Sequence, residues 1–284
     1  MAEKKKTNQK TKLQTKVKLN IVGKRRKKSS LRLSENDVTD WNNKSEVLEL
    51  VKEDIHAFKH ASEALRADKE VVMVALRFPD NLQYASEDLK NDKEVVLSAV
   101  KEAGISLEYA SERLRGNKEV VLSAIKGPGE GYGGSALEFA SKELKGDKDV
   151  VMIAIENDRW CGAFKYASKE LRADKEVFLA AINTFWYPND ASRCSLLPYA
   201  SRELRSDKDM VMTAVSKGSF EFEYASKELR ADKEVVLAAV KNWWGCLTYV
   251  SEELRNDPEF MKEVQQYLPR QYKKIQELLD GRFA

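Results

Sequence analysis

The sequence predicts an all-α fold, an α-solenoid of about eight 25-residue two-helix repeats with a basic N-terminal tail. The first observation is internal repetition. Segments that begin at Tyr84, Tyr109 and Tyr224 share the pattern YASxxLxxxKEVVLxAxK. The second observation is that the apolar residues within each segment follow helical spacing. Because so short a unit buries its apolar face only by stacking on its neighbours, the period predicts a solenoid.

Five further copies complete the array. The aromatic residue of the pattern recurs at Phe139, Tyr166, Tyr199 and Tyr249, and His60 takes its place in a weaker first copy. The aromatic-to-aromatic spacing grows from 25 to 30, 27 and 33 residues in the middle of the chain. The extra residues all fall between the second helix of one unit and the first helix of the next, so insertions are expected along one edge.

Each unit is predicted to contain two short helices. In the first helix, Leu107, Ala110 and Leu114 are separated by three and four residues and therefore lie on one stripe. A capping box is predicted where Ser135 precedes Glu138. The second helix begins at an Asp or Asn that caps free backbone N–H groups, at Asp68, Asp92, Asn117, Asp147, Asp174, Asp207, Asp232 and Asp257.

The ends of the second helix are marked independently. Pro258 follows the last cap, and proline is favoured at the first helical position. One residue separates each cap from the preceding Arg or Lys, and Gly116 and Gly146 at this corner predict a left-handed C′ conformation. Val95, Val96, Leu97, Ala99 and Val100 cover more than one face, so the second helix is expected to be sandwiched between neighbours.

At these residues the chain resembles a known family. The pattern YASxELRxDKEVVLAAV is similar to the repeat described as domain of unknown function 4116, over roughly residues 43–268. The resemblance implies tandem short-helix units and carries no established activity. The short period also resembles leucine-rich variant solenoids, in which one helix of each pair is a 3₁₀-helix.

Charge divides the chain into two parts. Residues 1–33 hold ten lysines and three arginines against one acidic residue, a net charge of +12, whereas residues 34–284 carry −9. We therefore predict a basic extended tail at 1–33, a helical repeat array at 34–268 and a C-terminal capping helix at 269–284. A lysine-rich tail is a contact for nucleic acid or another polyanion, although a solvated tail is an equal alternative.

The tail also holds a short basic motif. GKRRKK, from Gly23 to Lys28, is typical of a nuclear import signal or a nucleic-acid contact. The predicted nucleic-acid-binding residues are Lys16, Lys18, Lys24, Arg25, Arg26, Lys27 and Lys28. The tail has no aromatic residue on which bases could stack, so we expect it to contact the phosphate backbone.

The predicted protein-binding surface lies on the edge that carries the insertions. Tryptophan, tyrosine and arginine dominate interaction hot spots. The residues of this aromatic edge are Trp160, Phe185, Trp186, Tyr187, Arg193, Trp243 and Trp244. An equal alternative is that some rings, notably Trp160 and Trp243, cover the ends of the helical stack.

Catalytic and metal sites are not predicted. The same Ser, Asp, Lys and Glu recur in nearly every unit, and a small serine hydroxyl permits close approach and can bond a backbone carbonyl. His56 and His60 lack further ligands, and the glycines of GPGEGYGG lack the strand and the GK[ST] ending of a phosphate loop. The cysteines, Cys161, Cys194 and Cys246, show no CxxC pairing.

The sequence therefore favours a non-enzymatic scaffold or structural subunit of a large assembly, with a ribonucleoprotein as the favoured case. The tail would contact RNA, DNA or another polyanion, and other proteins of the complex would bind the array. The alternative is a protein-binding adaptor or effector that uses the aromatic edge, with the tail as an import signal. No cofactor, small-molecule substrate or membrane is expected, and a cytoplasmic or nuclear location within the cell is predicted.

Overall fold

The computed structural model describes residues 40–127, 133–158, 162–184, 195–217 and 219–279. These residues belong to the compact unit Asp40–Ala284. They contain α- and 3₁₀-helices and no β-strand. The predicted all-α solenoid is therefore confirmed.

Nine long helices, α1 to α9, form one layer of the array. Each is the second helix of a unit, and neighbours in the chain pack against each other. They span Lys44–Glu53, Lys69–Ala75, Lys93–Glu102, Lys118–Ile125, Lys148–Glu156, Lys175–Thr184, Lys208–Lys217, Lys233–Asn242 and Pro258–Tyr267. The last eight were predicted from the sequence. Helix α1, capped by Asn43, is one more than the predicted copies.

The predicted caps of α2 to α9 are confirmed. Oδ1 of Asp92 accepts hydrogen bonds from the backbone N–H groups of Glu94 (2.9 Å) and Val95 (3.2 Å). The side chains of the other seven caps, from Asp68 to Asp257, accept the equivalent bond from the backbone N–H three residues on. At α9 Pro258 occupies the first helical position, as predicted.

Burial repeats from helix to helix. In α3 the residues Val95, Val96, Ala99 and Val100 are completely buried, and the helix contacts α2, α4 and two 3₁₀ segments. The same four positions are buried in α4 to α8. The sandwiched second helix is therefore confirmed.

The first helix of each unit differs from the prediction, because it is divided in two. In the unit that contains Tyr109, a 3₁₀ segment, Gly104–Tyr109, precedes a one-turn helix, Glu112–Arg115. Between them Ala110 and Ser111 have ψ angles of 152° and 155°, which neither an α-helix nor a 3₁₀-helix allows. Leu107, Ala110 and Leu114 are still all buried, because both segments face the same core.

The recurring serine explains this break. Its Oγ accepts a hydrogen bond from the N–H of the leucine three residues on, as between Ser86 and Leu89 (3.4 Å), so the serine is the cap of the one-turn helix. The hydroxyl oxygen is the acceptor of this bond, a capping role that the sequence analysis did not assign to it. The serine's own N–H donates across the unit boundary, from Ser86 to the carbonyl of Arg66 (2.9 Å). The same backbone bond joins six further pairs, at 2.8–3.1 Å: Ser111–Lys90, Ser141–Arg115, Ser168–Lys145, Ser201–Arg172, Ser226–Arg205 and Ser251–Arg230.

The prediction for the glycine corners is wrong. Gly116 and Gly146 have φ angles of −94° and −97°, in the right-handed region, and Ala67 at the same corner has −99°. The corner therefore imposes no need for glycine. The prediction of a capping box at Ser135 is also wrong, because the helix Gly133–Phe139 begins two residues before Ser135.

A final helix, α10, spans Tyr272–Leu279 and contacts the 3₁₀ segment Trp244–Tyr249. Its Ile275 is completely buried. In the part of the chain that the structure describes, no helix has the length and apolar character needed to cross a membrane.

Candidate binding surface

A row of ion pairs, here called the lysine ladder, joins the N-terminal ends of successive long helices. The lysine at the first position of one helix reaches a carboxylate at the start of the next, as Lys69 does to Asp92 (2.8 Å) and Glu94 (2.7 Å). Each of the eight steps from α1 to α9 has such a pair. The lysines are Lys44, Lys69, Lys93, Lys118, Lys148, Lys175, Lys208 and Lys233.

The ion pairs of the lysine ladder shift the pKa values of their members. The Lys69 ammonium, by hydrogen bonding to Asp92, holds the pKa of that carboxyl below its usual value of 3.8. The same bond raises the pKa of Lys69 above 10.5. The aspartates are 20–30% exposed and the lysines 39–63%. Because water reaches both partners, each pair is worth only about 0.2–1 kcal/mol.

The ends of the lysine ladder are marked by single residues. At the start, α1 is capped by the neutral amide of Asn43. At the end, Pro258 stands where the other long helices have a lysine. One internal step is also different, because the α4 cap is Asn117 and Lys93 pairs with Glu119 (2.5 Å).

The long helices present a second row beside the ladder, here called the aliphatic row. Five residues after the cap, every helix from α1 to α8 has a leucine or methionine that is half-buried and packs against the core. These residues are Leu48, Met73, Leu97, Leu122, Met152, Leu179, Met212 and Leu237. In α9 the position is Lys262, which is exposed. The apolar row thus ends where the array ends.

The aromatic residues of the repeat pattern form a third row, on the one-turn-helix side. They are half-buried and pack against the core. The Nζ atom of Lys165 lies 4.9 Å from the ring centre of Tyr166 and 5.7 Å from that of Tyr199. In the same region, Nη1 of Arg172 donates to the carbonyl oxygen of Tyr199 (3.0 Å). These rings connect neighbouring units as well as covering the core.

Only two residues of the predicted aromatic edge fall in the described part of the chain. Trp243 and Trp244 are half-buried and pack against the core. The Trp243 ring lies so close to Gly245 that a side chain there would overlap it. Trp160, Phe185, Trp186, Tyr187 and Arg193 lie outside the described residues, and so do the tail residues Lys16, Lys18, Lys24, Arg25, Arg26, Lys27 and Lys28.

The structure also contains a buried carboxylate that the sequence did not predict. Glu221 is 4% exposed, and burial raises its pKa above 4.5. Its oxygens accept hydrogen bonds from Ser195 Oγ and from the N–H groups of Leu196 and Leu197, each at 2.8 Å. Glu221 thus fixes the turn that follows the longest insertion. The equivalent residue is Asn81, Ser106 or Cys246 in other units, so the pattern gives no signal for it.

The remaining candidate groups have structural surroundings. His60 lies against Trp41, with ring centres 5.2 Å apart. Cys246 is a buried free thiol, and burial raises its pKa to about 12. Among the described residues no three His, Cys, Asp or Glu side chains are grouped closely enough to hold a metal ion.

Comparison with known proteins gives one result. A family model described as "Domain of unknown function (DUF4116)" matches six times, over residues 43–90, 76–115, 92–133, 117–172, 174–230 and 232–270. No curated protein and no solved structure matches the chain.

Proposed function

The chain belongs to the DUF4116 family, and we propose that it is a non-enzymatic scaffold of a larger assembly, a ribonucleoprotein being the favoured case. The helical array would bind other proteins, and the basic segment 1–33 would contact RNA or another polyanion. The observation that carries this proposal is the repetition of the same outward side chains from one long helix to the next. A surface of this kind suits an extended partner that crosses several units.

The polar groups that recur in the units support a structural role for each of them. Ser86 caps a one-turn helix, Asp92 caps a long helix, and Lys69 bridges two units. Because each of these groups is engaged in holding the array together, their repetition does not assemble a reactive centre. This supports a scaffold function over an enzymatic one. We expect the scaffold to act in the cytoplasm or nucleus.

The charge separation supports the polyanion contact. Residues 1–33 carry +12 and the rest of the chain −9. On the array, four of the eight steps of the lysine ladder bring two carboxylates to one lysine. That edge would repel phosphates, so the basic segment is the part of the chain that we expect to bind RNA.

The first test measures RNA retention by the full chain and by a variant that lacks residues 1–33. We expect the truncated protein to lose binding while its melting curve stays unchanged. For the full chain, log affinity should fall linearly with log salt, with a slope near −0.7 per phosphate contact on single strands. Equal RNA binding by the truncated protein would contradict the polyanion contact.

The second test concerns the protein partner. Affinity purification of the full chain, followed by size exclusion and mass spectrometry, should recover at least one other protein in a constant ratio. A chain that elutes alone under mild salt from its native extract would contradict the scaffold proposal.

The second candidate function is an adaptor that binds a partner through the aromatic edge. The observation that favours it is the placement of Trp243 and Trp244 at the half-exposed end of α8. The double change Trp243→Ala and Trp244→Ala should then weaken partner binding and leave helix content nearly intact. If the melting temperature falls together with the affinity, the rings belong to the core.

A further inference from the structure

The outward face of the first four long helices has charges of opposite sign on its two sides. In α3, Glu94, Leu97 and Lys101 are two, five and nine residues after the cap, and this spacing puts them on one face of a helix. Glu94 and Lys101 are exposed and Leu97 is half-buried. Along the helix, the side chains on this face are therefore first acidic, then apolar and then basic.

The same order holds in α2 to α4, whereas α1 has the apolar and basic members but Ser45 at the acidic position. The rows across these four helices are here called the four-helix face. On one side is an exposed acidic row, and along the middle runs the first half of the aliphatic row. On the other side is an exposed basic row. The residues are Glu70, Glu94 and Glu119, then Leu48, Met73, Leu97 and Leu122, and then Lys52, Arg77, Lys101 and Lys126.

The basic row is interrupted after α4. The position of Lys101 is taken by Glu156 in α5, Asn183 in α6 and Ser216 in α7, whereas the acidic and apolar rows continue. In α8 the position is basic again, but Lys241 stands alone there and its Nζ atom lies 4.4 Å from the ring centre of Tyr267. An uninterrupted run of basic residues therefore occurs on the first four helices.

We propose that the four-helix face binds an amphipathic α-helix of a partner protein, laid across α1 to α4. Its apolar stripe would lie on the aliphatic row, a lysine- or arginine-rich flank would meet the acidic row, and an Asp- or Glu-rich flank would meet the basic row. This proposal rests on the scaffold function and names the face and the kind of partner.

The spacing of the rows fits a helix. Packed helices lie roughly 8–10 Å apart. Two turns of an α-helix, seven residues, advance about 10.5 Å, so apolar residues at heptad intervals would meet successive members of the row. Four helices would then be crossed by a partner helix of about 20 residues.

The chemistry of the row separates a helix from the other common ligands. Proline-rich segments dock on aromatic-lined grooves, whereas amphipathic helices dock on grooves of Leu and Met, whose flexible side chains adapt to them. The face offers Leu48, Met73, Leu97 and Leu122 and no aromatic ring in these positions. The exposed acidic row disfavours RNA at this face, because carboxylates repel phosphates.

The test uses the full chain and a synthetic peptide of 21 residues, with leucines at heptad positions, lysines on one flank and glutamates on the other. Fluorescence anisotropy of the labelled peptide gives its affinity. We expect saturable binding that weakens at high salt, because the flanking charges are exposed. The double variant Lys101→Glu, Lys126→Glu should bind the peptide at least tenfold more weakly.

Two controls separate charge complementarity from unfolding. A peptide in which the glutamates are replaced by lysines should recover its affinity for the double variant and bind the unchanged protein more weakly. The matched variant Lys169→Glu, Lys227→Glu, whose lysines are exposed in the turns of other units, should bind the first peptide like the unchanged protein. Leu97→Ser should also weaken binding while the circular dichroism spectrum is kept.

The proposal is overturned if the unchanged protein shows no saturable binding up to about 1 mM peptide. It is equally overturned if both double variants bind alike, or if the double variant loses RNA and keeps the peptide. If the peptide does not bind and the full chain still purifies with a protein partner, the scaffold function stands. Only the assignment of the four-helix face as a helix-binding site is then refuted.

Discussion

Removing one carboxylate from the lysine ladder tests the capping and the inter-unit bridge together. The Oδ1 atom of Asp174 accepts hydrogen bonds from the N–H groups of Glu176 (2.8 Å) and Val177 (3.2 Å). Its Oδ2 atom accepts from Nζ of Lys148 at 2.7 Å. Loss of a cap costs about 1 kcal/mol, and an exposed ion pair adds about 0.2–1 kcal/mol.

We therefore expect Asp174→Ala to lower the free energy of unfolding by about 1–2 kcal/mol. The value should lie toward the lower end, because Lys148 keeps its second partner, Glu176, at 2.8 Å. Asp174→Asn is the matched variant, since it keeps an acceptor for the cap and removes the charge. It should cost less than the alanine variant, and the difference between the two variants measures the cap.

The difference in stability between the unchanged protein and each variant depends on pH with a definite sign. The hydrogen bond from Lys148 holds the pKa of Asp174 below 3.8 in the folded chain. The stabilisation is therefore present above pH 3.8 and is lost as the pH falls through the lower, folded pKa. Urea titrations followed by circular dichroism at pH 7 and at pH 3 would compare the three proteins. An alanine variant with an unchanged midpoint at pH 7 would refute the capping argument, and an undiminished difference at acid pH would refute the ionic bridge.

Four further changes probe other parts of the array. Val96→Asp buries an unpaired carboxylate at several kcal/mol, so hydrogen exchange should show lost protection in α2 and α4 as well as α3; loss confined to residues 92–102 would contradict the stacking. Gly116→Ala should raise the free energy of unfolding by about 0.4–1 kcal/mol, because φ is −94° and a Cβ atom meets its nearest neighbour at 3.6 Å. Gly104→Ala should lower the free energy of unfolding, because its Cβ atom would overlap the Ala124 carbonyl oxygen. Chemical denaturation of the two glycine variants would measure both changes. Asn117→Asp should add up to about 1 kcal/mol by giving Lys93 a second carboxylate, and a lowered urea midpoint would contradict that.

Features that depend on nearby residues were the ones the sequence could predict. A cap such as Asp92 bonds N–H groups two and three residues away, so the residue types alone locate it. The lysine ladder joins residues 23 to 32 positions apart. Its pairs depend on how the units stack, which the periodicity does not specify. The glycine prediction failed for a related reason, because the corner's φ angle is set by the two helices it joins.

The break in the first helix was predictable and was missed. The serine three residues before the buried leucine, as in Ser111 and Leu114, is the same local capping signal that located the long helices. Helix α1 was not predicted because Ser45 and Glu46 stand where the other long helices have an acidic residue followed by an apolar one. The outward rows needed the structure, since exposure in a solenoid depends on the neighbours of each helix.

The directed bonding between units has a consequence for how such a protein grows by gene duplication. Each internal unit gives its lysine and its carbonyl to the next unit and receives a carboxylate and a serine N–H in return. A duplicated internal unit would therefore find both of its joints already complementary, whatever the length of the intervening insertion. The two ends behave differently, since Asn43 brings no carboxylate and Pro258 brings no lysine. New copies would be accepted in the middle of the array and rejected at its ends, so selection could lengthen the surface without redesigning its termini.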